Sequence, residues 1–268
     1  DKTEQTIDGK IEHTGLESAY GFSEACHALQ IQEAEVKKIR ELVASLFLDE
    51  DASPLILTPH QALIFSEIYQ KRHNRLHIQT FTQFGKSLTV ALAVLLRVST
   101  FSEKWAIIAG KADQARIIMS YVIQHAFDNS YCRDKLEIQE GENAERLRRE
   151  RSKNRLTFKH SDGTYGEVFI LSADSKNKQL AGDALMGFGA QHVVLDEAAL
   201  IDDDIEAKVF RMLGAKTNNF YVKIGNPFRR NHFFKDSISS KFAKININYE
   251  IGIEEGRLTL SFIEEAWL

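Results

Sequence analysis

Thr80-Phe81-Thr82-Gln83-Phe84-Gly85-Lys86-Ser87 is the stretch whose reading decides the fold. It stands between a β-type approach, Leu76 to Thr80, and an apolar helical run reaching Arg97. Glycine, lysine and a hydroxyl residue at a strand-to-helix turn have the chemistry of a phosphate cradle, here without the first glycine of the usual pattern. Backbone amides around Gly85, on a loop that includes Thr82, Gln83 and Phe84, can wrap phosphate oxygens at the helix N-terminus. Lys86 can neutralise the β and γ phosphates of a nucleoside triphosphate, and the Ser87 hydroxyl can hold Mg2+. Gly-Lys-Ser is also a short, common string that fits an ordinary strand-to-helix turn, so its surroundings must decide.

Outward from the loop, strands and helices alternate. Thr58 can cap a helix with Pro59 at its first position, running to about Arg72. After the loop helix come a strand at Trp105 to Ala109 and a helix from Asp113 to Phe127. Leu156 to Phe158 and Glu167 to Leu171 flank Asp162-Gly163 and predict a β-hairpin. Gln191 to Leu195 and Phe220 to Ile224 read as buried strands, Ile245 to Tyr249 as an edge strand, and Thr259 to Trp267 as the start of a capped helix. Residues 24–48 carry apolar positions at helical spacing. The expected fold is α/β of the P-loop NTPase (ASCE) type, a mainly parallel central sheet flanked by helices, with an N-terminal helical extension. The expected division is 1–54 for that extension, 55–228 for the nucleotide-binding core and 229–268 for a linker or lid. In such sheets ligands bind beyond the carboxyl ends of the strands, which is where the loop falls.

Composition narrows the classes. The chain has 268 residues, 43% hydrophobic and 27% charged, with three prolines, which suits one large α/β domain or a domain with a small appendage. Cys26 and Cys132 are far apart, so neither a disulfide framework nor a zinc site is indicated. The longest apolar stretch, Leu88 to Leu96, is well short of the roughly 18 residues of a membrane span. A start at Asp1, with no methionine before Met119, suggests a fragment. The net charge of −4 argues against a uniformly basic nucleic-acid binder, but basic residues cluster. Arg146, Arg148, Arg149, Arg151, Lys153, Arg155 and Lys159 form one group and Lys223 to Lys244 span another; each reads either as a solvated face or as phosphate contacts.

His192-Val193-Val194-Leu195-Asp196-Glu197 is an apolar strand ending in two acids, about 110 residues after Lys86, a usual separation for a phosphate-loop enzyme. Asp196 can hold the metal's water shell and Glu197 can act as general base. A strand followed by a helix-capping acid is the plainer reading. Asp202-Asp203-Asp204 suit the first turn of a helix at Ile205 to Leu213 better than a metal cluster. His73 and His77 are four apart with no acid between them, and Gly187-Phe188-Gly189 reads as a turn.

Together these residues resemble the ATPase domain of the large terminase subunit of tailed bacteriophages, over about residues 55–268. Leu57-Thr58-Pro59-His60-Gln61 looks like the adenine-reading segment, Gln83 to Ser87 the Walker A loop, and Val193 to Ala198 the Walker B segment with catalytic Glu197. Ile224-Gly225-Asn226-Pro227 is similar to the coupling motif, in which Asn226 would sense the γ phosphate. The resemblance implies a motor using MgATP to drive double-stranded DNA into a prohead in the host cytoplasm. Other copies in a ring, the portal protein and the small terminase subunit are the implied partners, with no membrane. Many relatives carry an arginine where this chain has Thr82, so that charge would come from a neighbour, with Arg155 preferred to Arg149 or Arg151. The family's C-terminal nuclease would lie beyond Leu268, so this chain is not expected to cut DNA. A helicase-like DNA-dependent ATPase is one alternative, and a non-catalytic nucleotide-binding assembly module is another. A helicase would need a second motor domain, and a binding-only module would not need Glu197.

Overall fold

A computed structural model describes residues 29–138, 143–145, 154–173, 189–214 and 218–266. The capping signal at Thr58 works as its sequence dictates: the Thr58 hydroxyl accepts from Gln61 N–H, and Gln61 Oε1 accepts from Thr58 N–H. Helix α2 (Pro59–Gln70) therefore starts with Pro59 in its first turn and ends at Lys71 in a left-handed cap. Before it lies α1 (Glu33–Leu46), which buries Val36, Ile39 and Val43. The amphipathic pattern over 24–48 overran this helix: residues 29–32 are not helical, and 24–28 lie outside the described residues.

Strand β1 (Arg75–Thr80) feeds the phosphate loop and then α3 (Lys86–Thr100). There follow β2 (Lys104–Ala109), α4 (Ala112–Asp128), α5 (Ser130–Arg133), the hairpin β3 (Arg155–Lys159) and β4 (Tyr165–Ser172), and β5 (His192–Asp196). A 3-10 turn at Ala198–Leu200 leads to α6 (Asp203–Met212), β6 (Phe220–Gly225), α7 (His232–Ser237), β7 (Ala243–Ile247), α8 (Tyr249–Glu254) and α9 (Leu260–Ala266). The strands form one sheet in the order β3-β4-β2-β5-β6-β1-β7, parallel throughout except for the β3–β4 hairpin.

Central strands are apolar on both faces because both faces are covered. On β2, Trp105 and Ile107 pack towards the layer that holds α2, α3 and α4, while Ala106 and Ile108 pack towards the layer that holds α6 and α7. The same alternation runs through β5 and β6: Val194 and Val222 lie on the first side, Val193, Leu195 and Tyr221 on the second. Helix α3 is apolar nearly all round, from Val90 to Leu96, because it is sandwiched between the sheet and α2 and α4.

The sheet corrects the reading of the second basic run. Lys223 sits in β6 and Lys244 in β7, and both are buried, so neither is available to a DNA phosphate. Lys223 Nζ is instead held by Glu206, Asp236 and His232 Nδ1. Lys71, Glu103 and His192 meet at the amino end of the sheet, where the Glu103 carboxylate also takes Arg97 and the Trp105 indole N–H. Among the described residues no helix is long and apolar enough to cross a membrane.

Candidate active site

The register of the sheet brings three strand ends to one edge. Asp196 pairs with Ile224 and Gln79 with Gly225, so the loop after β1, the acids ending β5 and Asn226 after β6 adjoin one another. The loop is shaped by burying its aromatic residues: Phe84 is fully buried and Phe81 nearly so, their rings edge-to-face at 5.5 Å. Thr82 and Gln83 are left exposed between them. Gln83 (φ 70°) and Gly85 (φ 92°) are left-handed, and at Gly85 an added Cβ would lie 2.5 Å from both Gln61 Nε2 and Arg257 Nη2. Glycine suits this left-handed backbone, and a side chain there would also push the ends of Gln61 and Arg257 off the loop.

The carbonyl of Phe84 explains that crowding. It accepts from Gln61 Nε2 at 2.8 Å and from Arg257 Nε and Nη2 at 3.2 and 3.1 Å. Gln61 and an arginine from the C-terminal part of the chain thus fix the loop from behind. Glu255 completes the attachment, accepting from His60 N–H at 2.9 Å and lying 2.7 Å from His60 Nδ1. Between Leu55, Leu57, Gln61, Leu88, Tyr121 and Arg257 lies a cavity of about 350 Å³ beside the loop. Gln61 uses both ends of its amide within the protein, one on Thr58 and one on Phe84.

Lys86 opens α3 and is buried, its Nζ 2.5 Å from Glu197 Oε1. Ser87 follows it, half-buried. Asp196 is buried, and its Oδ1 has no hydrogen-bond partner. Burial pushes this carboxyl up to about 6, against the pull of the Lys86 ammonium and with a push from Glu197. A buried acceptor left wanting near Lys86, which Ser87 follows in the chain, fits a hard divalent cation carried in with phosphate. Glu197 adopts a left-handed backbone (φ 47°), which costs a non-glycine residue roughly 1–3 kcal/mol. A Cβ on Gly225 would lie 3.2 Å from Ala198 N, so β6 backs directly onto this turn. Asn226 follows Gly225 and is half-buried.

The family profile described as terminase large subunit, T4likevirus-type, N-terminal, matches residues 82–256. The chain belongs to this family. Solved large terminases share its fold. The large terminase of a thermophilic bacteriophage is 13% identical with a TM-score of 0.57, over 79% of this chain and 50% of that one. The ATPase domain of the Thermus phage P74-26 large terminase is 20% identical with a TM-score of 0.55, over 71% and 82%. The HK97 bacteriophage large terminase is 16% identical with a TM-score of 0.56, over 78% and 43%. This chain therefore spans about half the length of the first of these proteins. A search of curated proteins gives no match.

Within this terminase fold the remaining expected residues are placed differently. Arg155 begins the edge strand β3, at the far side of the sheet from β1, exposed and paired with Glu167. It is not brought to the phosphate loop of its own chain. Arg146, Arg148, Arg149, Arg151 and Lys153 lie outside the described residues, as do Gly187 and Phe188. His73 Nδ1 meets Glu67, and His77 is buried in β1 with Nε2 on Phe233 O. Asp203 lies in the first turn of α6 as read, but its carboxylate also reaches His232 N–H and Lys235 Nζ, tying α6 to α7. Arg257 was missed in the sequence, where it is one basic residue in a weakly patterned tail.

Proposed function

We propose that this chain is the ATP-hydrolysing motor part of a viral DNA-packaging terminase, which uses ATP to drive double-stranded DNA into a prohead. The observation that carries this is the convergence of Lys86, Asp196, Glu197 and Asn226 on one sheet edge, with Lys86 Nζ 2.5 Å from Glu197 Oε1. That pair describes an off state. The Lys86 ammonium occupies the Glu197 carboxylate, and arriving β and γ phosphates compete for Lys86, freeing the carboxylate when there is substrate to attack. Ser87 and Asp196 would hold the Mg2+ of MgATP, which screens the phosphate charge. Thr82, Gln83, Phe84 and Gly85 supply loop amides, and the cavity beside Gln61 suits the base in volume and place. Glu197 then takes a proton from the attacking water, and Asn226 meets the γ phosphate and passes its loss to the segment after β6. The large terminase of the thermophilic bacteriophage has been solved with ADP and with ATP-gamma-S, which supports a nucleotide in this position.

In this reading the chain works in a ring of copies on the portal protein, with the small terminase subunit, in the host cytoplasm. Arg155, on an exposed edge strand remote from its own phosphate loop, would act on a neighbour's site. The exposed Arg229, Arg230 and Lys241, together with Lys159, would grip DNA phosphates, giving affinity that falls steeply with salt.

The test is ATP turnover by the full-length protein assembled with its prohead and DNA. Glu197→Gln should lower turnover roughly 10²–10⁴-fold while nucleotide still binds, and Lys86→Ala should abolish binding or turnover. Wild-type turnover in Glu197→Gln would overturn the assignment. For Arg155, rings mixed from Arg155→Ala and Glu197→Gln subunits should show activity that depends on the mixing ratio through shared sites; simple averaging would remove the role in trans.

A further inference from the structure

The left-handed turn at Glu197 needs support from outside, and the structure shows where it comes from. Leu200 N–H closes the turn on Glu197 O at 2.8 Å. Beyond that, Asn231 Nδ2 donates one hydrogen to Ala199 O at 3.0 Å and the other to Ile201 O at 2.9 Å. Its Oδ1 accepts from Phe233 N–H at 3.1 Å, capping α7, so the side-chain amide is used at both ends. His232, the next residue, places Nε2 3.0 Å from Ile201 O and Nδ1 3.0 Å from Lys223 Nζ. A carbonyl only accepts and an ammonium only donates, so the ring proton sits on Nε2 and the imidazole is neutral. Burial and the Lys223 charge, which lower its pKa, agree with this. Lys223 lies in β6, three residues before Asn226. The turn that carries the acid and the loop that carries the sensor are thus bolted together, and Asn231 makes two of the bolts.

We propose that Asn231 is a positioning residue that locks the Glu197 turn to the Asn226 loop, so that the base and the γ-phosphate sensor shift as one piece. Its side chain is spent on Ala199 O, Ile201 O and Phe233 N–H. It sets the direction of Glu197 through the carbonyls of Ala199 and Ile201, and it transmits movement of the post-β6 segment back to the acid. This rests on the ATPase reading above and adds a residue which that reading does not use.

Two substitutions separate this role from helix capping. Asn231→Ser and Asn231→Asp both keep an oxygen to cap Phe233 N–H, and both lose the paired donation to Ala199 and Ile201; the aspartate also opposes those carbonyls. In the full-length protein each should lower kcat for ATP at least about tenfold, with KM and ADP affinity within about twofold of wild type and the thermal midpoint lowered by no more than a few degrees. Amide exchange at Leu200 and Ile201 should quicken while exchange in β5 and β6 stays slow. Wild-type kcat in either variant, a raised KM with kcat intact, a large loss of thermal midpoint, or unaltered exchange at Leu200 and Ile201 would each overturn the proposal. Exchange is read without turnover, so it decides whether Asn231 holds the turn even if Glu197→Gln shows that Glu197 is not the base.

Discussion

Two buried carboxylates stand at opposite ends of the same sheet and are treated in opposite ways. Glu103, at the amino end, is met by Lys71, Arg97, His192 and the Trp105 indole N–H. Burial opposes its ionisation, yet the bonds from His192, Arg97 and Lys71 outweigh burial and hold the carboxyl well below the usual range. Asp196, at the carboxyl end, is buried with Oδ1 unpartnered, and its pKa is pushed up to about 6. The fold has the means to satisfy an internal acid and does not use them at Asp196. Left-handed backbone at Gln83, Gly85 and Glu197 gathers at that same end. A Glu103 carboxylate met on several sides at one end, against an Asp196 oxygen left bare beside the left-handed Gln83, Gly85 and Glu197 at the other, marks where stability has been given up for chemistry.

The largest expected effect lies at the satisfied end. Glu103→Ala leaves Lys71 and Arg97 buried without their anion and should cost roughly 3–5 kcal/mol of unfolding free energy, read by denaturant titration. Asp196→Asn, by contrast, should leave the ligand-free chain as stable as wild type or more so, while Mg2+-dependent nucleotide binding is lost. Equal destabilisation by the two changes would break the comparison.

A second effect concerns acid. Burial lowers the His77 pKa to about 4, from an ordinary value near 6.5. Between those values the unfolded chain binds a proton that the folded chain does not, so stability is complete above the unfolded value and drains as pH falls towards 4. The loss should be roughly 2–3 kcal/mol across that window and should be absent in His77→Phe, whose ring can still stack near Phe233. Below that window Glu103 adds a further loss as it is protonated, with the same sign. An acid profile in His77→Phe identical to wild type would remove His77 from this account.

At the strained end the effect on stability is small again. Arg257→Ala removes two of the three hydrogen bonds to Phe84 O yet should change stability by only about 1 kcal/mol. Nucleotide affinity should nevertheless fall several-fold, because the loop loses its backing. Unchanged affinity would show that Gln61 alone shapes the loop.

Much of the fold was legible because the deciding signals are local. Thr58 to Gln61 carries a capping box, Asp162-Gly163 a hairpin turn, and β2, β5 and β6 are short apolar runs bounded by polar residues. Grouping the phosphate loop with the paired acids followed from the rule that parallel strands present their carboxyl ends together, whereas Asn226 was added by the family resemblance. What escaped depends on long-range contact. Arg257 reaches the loop across a separation of 173 residues, which no local pattern records. Lys223 and Lys244 were read with the surface basic residues, although a lone lysine in Tyr221-Val222-Lys223-Ile224 sits in a strand apolar on both sides and implied an internal partner. The partner acids, Glu206 and Asp236, lie on two separate helices, and only the fold brings them together.

The grip on the Phe84 carbonyl has a consequence for the order of events during synthesis. Gln61 is made before the loop and is waiting for it, but Arg257 comes 173 residues later. At roughly 5–20 residues per second that gap is roughly 10–35 s. Throughout that interval a growing chain carries Lys86 and Ser87 on a loop without its second brace. Until Arg257 is made, Gln61 alone holds the Phe84 carbonyl, so the loop reaches its final bracing only near the end of translation of this region.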